Sequence, residues 1–380
     1  MSSMSFMKKL LAGAAVEWTV LGDESFIEVA NTARRPVKAS LRVSGKTPYY
    51  GANNIQDYVD GYTHDGEYVL IAEDGSSSLE HYSIQYATGK FWANNHVHVV
   101  RGKQGLNSRF LYHYLRIVDF IPYLPNKDRA KLTKGEMLKI PLPIPSPENP
   151  KKSLAIQAEI VRILDAFTEL TTELTTELTT ELTTRKKQYN YYRDQLLSFA
   201  EGGVEWKTLG EITTSIASGR NKARSADGAI PVYGSTGLIG FTNEAAYTGD
   251  VLLVARVGAN AGLVNAVSGD FDVSDNTLVI RPINSWNMRF AFHQLTHMNL
   301  NQYAVGGGQP LVTGGLLKSL KVPFPPLKEQ EQMAAILDKF DALTNSISEG
   351  LPREIALREK QYEYYRDLLL SFPRPEEVTA

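Results

Sequence analysis

The chain has 380 residues, of which 43% are hydrophobic, so it is long enough for at least two domains with cores of their own. It contains no cysteine, which excludes disulfides and cysteine-based zinc or iron-sulfur sites and fits a cytoplasmic location. The formal net charge of −2 is less positive than that of a general basic nucleic-acid binder, and no apolar run is long enough to predict a transmembrane helix.

The first half begins with a conserved-looking segment, residues 1–23, and continues with a variable block that we place at residues 24–152. EYVLIAE (residues 67–73) and FWANNHVHVVRG (residues 91–102) are apolar and rich in β-branched residues, which predicts strands. LNSRFLYHYLRI (residues 106–117) has apolar residues at helical spacing. The block is therefore predicted to be an α+β domain.

A long helix is predicted over residues 153–199, with Ser153 as its N-cap. Its middle holds TELTTELTTELTTEL (residues 168–182), a four-residue unit copied almost without change. Leucines spaced by four residues drift about 40° per unit around a helix axis, threonine is a middling helix former, and glutamates one turn apart repel mildly. Packing energy does not explain such copying, so we interpret the repeat as a spacer whose number of units sets a length.

The second half repeats this order with a joint at residues 200–211, a variable block at 212–325, a second helix at 326–372 and a tail at 373–380. In the second block VYGS, VLLVARVG, GLVNAV and TLVIRP predict strands, and NMRFAFHQLTHMN predicts a helix. Pro352 is expected to break or kink the second long helix.

Three segments occur twice and are nearly unchanged, whereas the two blocks diverge. VEWTVLGD returns as VEWKTLGE, RILDAFTEL as AILDKFDAL, and RKKQYNYYRDQLLSF as REKQYEYYRDLLLSF. The chain is therefore a duplication that mounts two different domains on one repeated frame. The first long helix leads into VEW, and the second ends in the same LLSF sequence, so we expect the last residues to lie beside the first VEW motif.

Motifs of enzymatic chemistry are missing. GKT at residues 45–47 suggests a phosphate-binding loop, but the earlier glycine that such a loop needs is replaced by Ser40. There is no HExxH, no GxSxG and no Asn-Pro-Pro-aromatic or Asp-Pro-Pro-aromatic motif of amino-methyltransferases. Two histidine pairs have the spacing of zinc ligands but lack a third ligand: His96 with His98, and His293 with His297. We therefore predict no catalytic residue, no cofactor and no metal in this chain.

The repeated frame resembles the specificity subunit of type I restriction-modification enzymes over essentially the whole chain. Its most specific segments are PPLKEQEQMAAILDKFD (residues 325–341), the two QYxYYRDxLLSF segments and PVYGSTGLIGF (residues 231–241). The TELT array resembles the short tandem repeat of the type IC subfamily. The resemblance implies two target recognition domains that each read half of a bipartite DNA site. It also implies two long antiparallel helices that form a coiled-coil spacer in a pseudo-two-fold, circular arrangement.

The resemblance also implies partners and cofactors. The frame would dock two modification subunits, which bind S-adenosylmethionine and methylate adenine, and restriction subunits, which use ATP and Mg. None of that catalysis would belong to this chain. Two alternatives stay open at this point, a self-contained DNA methyltransferase or nuclease and a structural coiled-coil protein, although the second does not account for two α+β blocks.

Polar and basic loop residues are the candidates for DNA contact, because bases are read by side chains that enter a groove and lysines suit phosphates. In the first block they are Arg34, Arg35, Lys46, Asn53, Asn54, Asn126, Lys127, Arg129 and Lys131. In the second block they are Arg220, Asn221, Lys222, Arg224, Tyr233, Ser235, Thr236 and Gln309. The tyrosines of NYYRD and EYYRD are predicted to pack at the junction of helix and domain, with docking of modification subunits as the alternative.

Overall fold

The computed structural model describes residues 9–11, 13–125, 131–200, 202–221, 224–225, 228–306, 308–346 and 350–374. The chain divides into two compact units, Met1–Thr175 with Leu357–Ala380, and Thr176–Ala356. Both units contain helices and sheets, so the predicted α+β class is confirmed.

The first unit begins with the elements that form its sheets. In chain order they are β1 (Val16–Val20), β2 (Ile27–Val29), β3 (Ser44–Tyr50), β4 (Ile55–Val59), β5 (His64–Asp65), β6 (Tyr68–Ala72), β7 (Ile84–Ala87), β8 (Lys90–Ala93), β9 (Val97–Gly102), α1 (Ser108–Leu115), α2 (Lys134–Met137) and β10 (Pro141–Pro145). The described strands form two sheets, β2-β9-β6-β7 and β4-β3-β8-β5, and β1 pairs with β10. GKT therefore lies within strand β3 and not in a phosphate-binding loop.

Strand β6 is apolar throughout because both of its faces are covered. Val69 belongs to the same buried cluster as Phe110 of α1, whereas Leu70 on the opposite face belongs to a cluster with Phe91 of the second sheet. Successive side chains of a strand point to opposite faces, so one strand contributes to two cores. Helix α1 begins after Asn107, whose side chain accepts hydrogen bonds from Arg109 N and Phe110 N.

Helix α3 (Pro150–Leu197) is 48 residues long, which corresponds to about 70 Å. It begins at Pro150, so the prediction of Ser153 as N-cap is wrong. Asn149 Oδ1 accepts from Lys152 N at 3.0 Å, and proline is well suited to the first helical position because its missing N–H would have no partner there. Ser153 is buried in the first turn instead.

The threonines of the TELT array are accommodated by hydrogen bonds to their own helix. Thr168 Oγ1 donates to Leu164 O at 2.7 Å, and Thr172 Oγ1 donates to Thr168 O at 2.7 Å. Thr180 makes the same bond one turn back, to Thr176 O at 2.8 Å. These three hydroxyls are therefore satisfied within the helix, by bonds that are neutral to slightly unfavourable for its stability.

The second unit repeats the pattern of the first. Its elements are β11 (Glu205–Thr208), β12 (Thr213–Ser218), β13 (Ile230–Gly234), β14 (Gly237–Thr242), β15 (Tyr247–Thr248), β16 (Val251–Ala255), β17 (Val264–Val267), β18 (Asp270–Val273), β19 (Thr277–Pro282), α4 (Met288–His297), α5 (Gly314–Ser319) and β20 (Lys321–Phe324). The described strands form the sheets β12-β19-β16-β17 and β14-β13-β18-β15, and β11 pairs with β20.

The second long helix is divided, as Pro352 predicted. Helix α6 (Leu327–Asn345) ends before helix α7 (Leu351–Leu370) begins, and Pro352 lies in the first turn of α7. In the first unit α7 runs antiparallel to α3, because Phe167 stacks on Tyr365 while the later Thr168 bonds the earlier Tyr362 at 3.0 Å.

The end of helix α7 packs against the beginning of the first unit, which confirms the circular organisation. Trp18 Nε1 donates to Pro373 O at 2.8 Å. Phe372 meets Phe110 edge to face with centroids 5.8 Å apart, and Leu370 is buried in the same core. The C-terminal half of the frame therefore completes the core of the N-terminal recognition block.

Candidate DNA-recognition surface

The central strands of the two units end at equivalent residues. Strands β6 and β9 have the same alignment as strands β16 and β19. The residue after β6 is Glu73, and the residue after β16 is Arg256. Each donates its backbone N–H to the residue before the partner strand, Glu73 to His96 O and Arg256 to Asn276 O, both at 2.8 Å. The two positions are equivalent although their charges are opposite.

Each of these residues is also bonded to the segment that follows a predicted DNA-contacting loop. Leu132 N donates to Glu73 O at 2.7 Å, and Val312 N donates to Arg256 O at 2.8 Å. PNKDRAK precedes Leu132, and GGGQP lies just before Val312. The end of each loop is therefore tied to the end of a central strand.

The first cluster, defined as Arg34, Glu73 and Lys131, is closed by ion pairs. Arg34 Nη1 lies 2.7 Å from Glu73 Oε2, and Lys131 Nζ lies 3.2 Å from Glu73 Oε1. Arg34 Nη1 also donates to Val97 O at 2.7 Å. Burial raises the pKa of Glu73, but the hydrogen bond from Arg34 and the nearby positive charges outweigh it and hold that pKa below its usual range. Arg34 is thus committed to contacts within its own unit.

The other candidates of the first unit differ in how free their side chains are. Asn53 Nδ2 donates to Gly75 O at 2.9 Å and its Oδ1 accepts from Ser77 N at 2.9 Å, so it holds a neighbouring turn. The exposed candidates are Arg35, Lys46, Asn54 and Lys131. Outside the described residues lie Asn126, Lys127 and Arg129. DNA contact by all of these residues stays a prediction.

In the second unit several candidates gather after strand β12. Asn221 Nδ2 donates to Asp272 Oδ2 at 2.5 Å, and Asn221 Oδ1 accepts from Arg224 Nη1 at 2.7 Å. Tyr233 packs edge to face on Phe271 with centroids 6.1 Å apart, which leaves it half-buried. Ser235 and Thr236 form the turn between β13 and β14, Arg220 and Gln309 are exposed, and Lys222 lies outside the described residues.

The loop that carries Gln309 has a defined base. Val305 and Leu311 exchange both backbone hydrogen bonds, at 3.0 and 2.9 Å, and Gly306 has a φ of +103° that favours glycine. Gly258 N donates to Pro310 O at 3.1 Å, which joins this loop to the segment after Arg256. Gln309 is exposed on this loop, where a side chain can enter a groove.

Arg256 is not among the residues predicted to contact DNA. Its Nη1 lies 3.3 Å from Ser218 Oγ, and its buried Nε has no hydrogen-bond partner. Among the residues that the structure describes, no carboxylate forms an ion pair with it. A signal was present in VLLVAR, because an arginine directly after a fully apolar strand must lie where the strand leaves the core. We refer to Arg220 and Arg256, whose backbone positions correspond to those of Arg34 and Glu73, as the second cluster.

A separate cluster joins the first sheet domain to helix α3. Arg109 Nη2 and His113 Nε2 of α1 lie 2.9 and 2.8 Å from Asp165 Oδ1. Burial lowers the pKa of His113 to about 4 despite the neighbouring Asp165 carboxylate. His113 is therefore a neutral imidazole that donates Nε2–H, while Arg109 carries the charge that pairs with Asp165.

The second unit contains the same joint. Arg289 Nη2 and His293 Nε2 both lie 2.7 Å from Asp338 Oδ1. Burial again lowers the pKa of the histidine. His293 is thus a structural residue, and the described residues contain no group of three or more potential metal ligands. The repeated ILD sequence of both long helices supplies the aspartate of each joint.

Comparison with known proteins shows that both halves of the chain match one protein family. The family model for the type I restriction modification DNA specificity domain matches residues 15–184 and again residues 201–357. The chain belongs to this family. Each of its two units therefore carries one copy of the specificity domain, with the first or second cluster at the end of its central strand.

Relatives and solved structures agree with this assignment over almost their whole length. A putative type I restriction enzyme specificity subunit of Haemophilus influenzae is 46% identical, covering 98% of this chain and 99% of its own. The EcoR124I/EcoR124II specificity subunit of Escherichia coli is 36% identical and covers 100% of both chains. The crystal structure of an S subunit from M. genitalium has a TM-score of 0.56 at 16% identity, covering 96% of this chain and 97% of its own, and shares the fold.

The tyrosine motifs of the family frame divide between two roles. Tyr189 is buried, and Tyr192 stacks on Phe340. Tyr191 and Tyr364 are each 62% exposed. Packing at the junction therefore accounts for the first two rings, whereas the exposed pair lies on the outside of the frame.

In the described part of the chain, no helix has the length and apolar character of a membrane span.

Proposed function

We propose that this specificity subunit reads a bipartite DNA site, one half with each recognition domain, and carries the subunits that act on that DNA. The most direct support is that the two domains share their strand registers and joints but differ in the residue that follows the central strand. The strand registers and the joints match between the units, yet Glu73 stands where the other unit has Arg256. Two readers of this kind would recognise two different half-sites.

The proposed partners are two modification subunits and restriction subunits. S-adenosylmethionine would be bound by the modification subunits, and ATP and Mg by the restriction subunits, so that this chain supplies recognition and no catalysis. Support comes from the named relatives, which are specificity subunits, and from a similar chain in a structure described as showing complex assembly of the type I system. The complex would act in the cytoplasm.

We also propose that the chain belongs to the type IC subfamily and that its TELT units set the gap between the half-sites. The array lies within a continuous helix and its threonines bond their own backbone, so the number of units changes length and rotation more than packing. One unit adds about 6 Å and about 40°, and one DNA base pair adds roughly 34–36° of rotation.

A domain exchange tests the proposal. Residues 212–325 are replaced by the corresponding block of a relative, and each chain is assembled with modification subunits and S-adenosylmethionine. Mapping of methylated adenines is expected to show one half-site changed and the other retained. An unchanged pair of half-sites after the exchange contradicts the proposal.

The enzyme alternative has its own test. The chain alone is incubated with DNA and labelled S-adenosylmethionine, and transfer of label is measured against the assembled complex. We expect transfer only in the complex. Label transferred by the chain alone would favour a self-contained methyltransferase.

A further inference from the structure

We propose that Arg256 is a specificity-determining residue of the second recognition domain and contacts a guanine in its half-site. The inference rests on the proposed function, since it names a side chain that would carry out the reading. It starts from the environment of Arg256, which differs from that of Arg34 in the first cluster.

The backbone of Arg256 is fixed by hydrogen bonds, but no carboxylate of the described residues forms an ion pair with its guanidinium. Its backbone is held by Asn276 O at 2.8 Å and Val312 N at 2.8 Å, so the Cα is fixed at the end of β16. Its Nη1 makes one long hydrogen bond of 3.3 Å to Ser218 Oγ, and its buried Nε has no partner. A guanidinium has five N–H donors; apart from the buried Nε–H and the Nη1–H that bonds Ser218, three remain without a hydrogen bond to any described residue.

The equivalent position in the first domain shows what a neutralised cluster looks like. There Glu73 accepts from Arg34 at 2.7 Å and pairs with Lys131 at 3.2 Å. Arg35 N donates to the last residue of β8, and Asn221 N donates to the last residue of the equivalent strand β18. The residues before them, Arg34 and Arg220, therefore have equivalent positions in the two domains. The second domain replaces the carboxylate by Arg256. The two backbone positions that hold a salt bridge in the first domain thus both hold arginines in the second.

The surroundings suit a base contact. Arg256 lies beside the loop of Gln309, because Gly258 N donates to Pro310 O at 3.1 Å. The half-buried arginine after β16 and the exposed glutamine on the neighbouring loop are the residue types that pair bidentately with guanine and adenine in the major groove. A buried stem and fixed backbone restrict the directions of the guanidinium, which favours base reading over a mobile phosphate contact.

The test uses Arg256→Gln and Arg256→Lys in the chain assembled with modification subunits. The substrate is a DNA library with the wild-type first half-site and a randomised second half-site, and methylated molecules are sequenced. Wild-type complexes are expected to select guanine at one position of the second half-site. Both variants are expected to lose that preference by roughly 10- to 100-fold at this position and to keep the first half-site.

Arg281→Gln serves as the matched control, because Arg281 lies towards the other end of β19 and donates to Thr248 O at 3.3 Å. It is expected to keep the wild-type preference at every position. Unchanged preference in Arg256→Gln overturns the inference, and so does a uniform loss of methylation without a change of preference, which indicates a phosphate contact or misfolding. A wild-type complex without any bipartite site would instead contradict the proposed function itself.

Discussion

The rings of Phe167 and Tyr365 stack with centroids 5.5 Å apart and planes inclined by 24°, and the rings of Phe340 and Tyr192 stack with the same distance and angle. Phe167 and Tyr192 come from the first copy of the frame, and Phe340 and Tyr365 come from the second. Each stacked pair therefore takes one ring from each copy. Neither copy of the long helix completes its own packing, which is the physical basis of the duplicated, circular chain.

Removal of one of these rings is expected to destabilise the protein. Phe167→Ala should lower the free energy of unfolding by about 2 kcal/mol, because apolar contact and ring stacking with Tyr365 are lost. Urea denaturation of the full-length chain measures the change. Leu170→Ala on the same helix is the control, since Leu170 is 52% exposed and should change stability by less than about 0.5 kcal/mol. Equal stability of the two variants contradicts the role assigned to the stacked pair.

Acidification is expected to weaken the joint between the first sheet domain and helix α3. The pKa of His113 is lowered by burial from 6.5 to about 4, so the unfolded chain binds this proton first. The stabilising contribution is complete above pH 6.5 and is lost as the pH falls towards 4, by on the order of 3 kcal/mol. The lowered pKa of Asp165 adds a further loss at lower pH.

His113→Gln tests this joint because glutamine can still donate a hydrogen bond but does not titrate. Urea midpoints measured between pH 7 and pH 4 should fall less steeply for this variant than for the wild-type chain. His81→Gln, at an exposed histidine of the same unit, should keep the wild-type slope. A wild-type slope in His113→Gln would show that this imidazole is not the group responsible.

Deletion of one TELT unit is expected to shorten the DNA gap by about one base pair without changing either half-site. Removal of residues 168–171 brings an identical threonine to the position that faces Tyr362, so the local hydrogen bond of 3.0 Å can form again. The helix becomes about 6 Å shorter and turns by about 40°, which corresponds in rotation to about one base pair. Methylated adenines in DNA treated with the assembled complex reveal the gap.

The control for this deletion keeps the length of the array. Glu173→Gln changes the charge of one unit and should leave the gap as it is in the wild-type protein. If the four-residue deletion also leaves the gap unchanged, the array does not set the distance between the half-sites. A change in a half-site sequence would point to an altered recognition domain instead.

Local patterns predicted the larger elements well. The apolar stripe and the repeated frame placed the long helix within a few residues of Pro150–Leu197, and Pro352 marked the division of the second helix. The cap was assigned wrongly because Asn149 and Ser153 are both good capping residues, and Pro150 between them was overlooked. The central strands β6, β16 and β19 followed from continuous apolar runs, since buried strands need apolar residues on both faces, whereas less apolar strands such as β4 and β12 were not predicted.

The recognition residues were harder to predict because their state depends on partners distant in the chain. Arg34 and Arg220 have the same place in the two blocks, but only Arg34 meets a carboxylate at the end of the central strand. Arg256 was not predicted to contact DNA, because it follows an apolar run and has no neighbouring basic residue in the sequence. Sheet register decides which loops meet the end of that strand.

The sequence by itself determined the duplication, the repeated frame, the helical spacer and the circular order, because near-identical copies and apolar spacing are visible along the chain. Only the tertiary structure decided which charges are neutralised. Arg34 and Glu73 are 39 residues apart and meet through the pairing of strands, whereas the equivalent arginines of the second unit meet no described carboxylate. Ion pairs act over a few ångströms, so their partners are chosen by the fold and not by proximity in sequence.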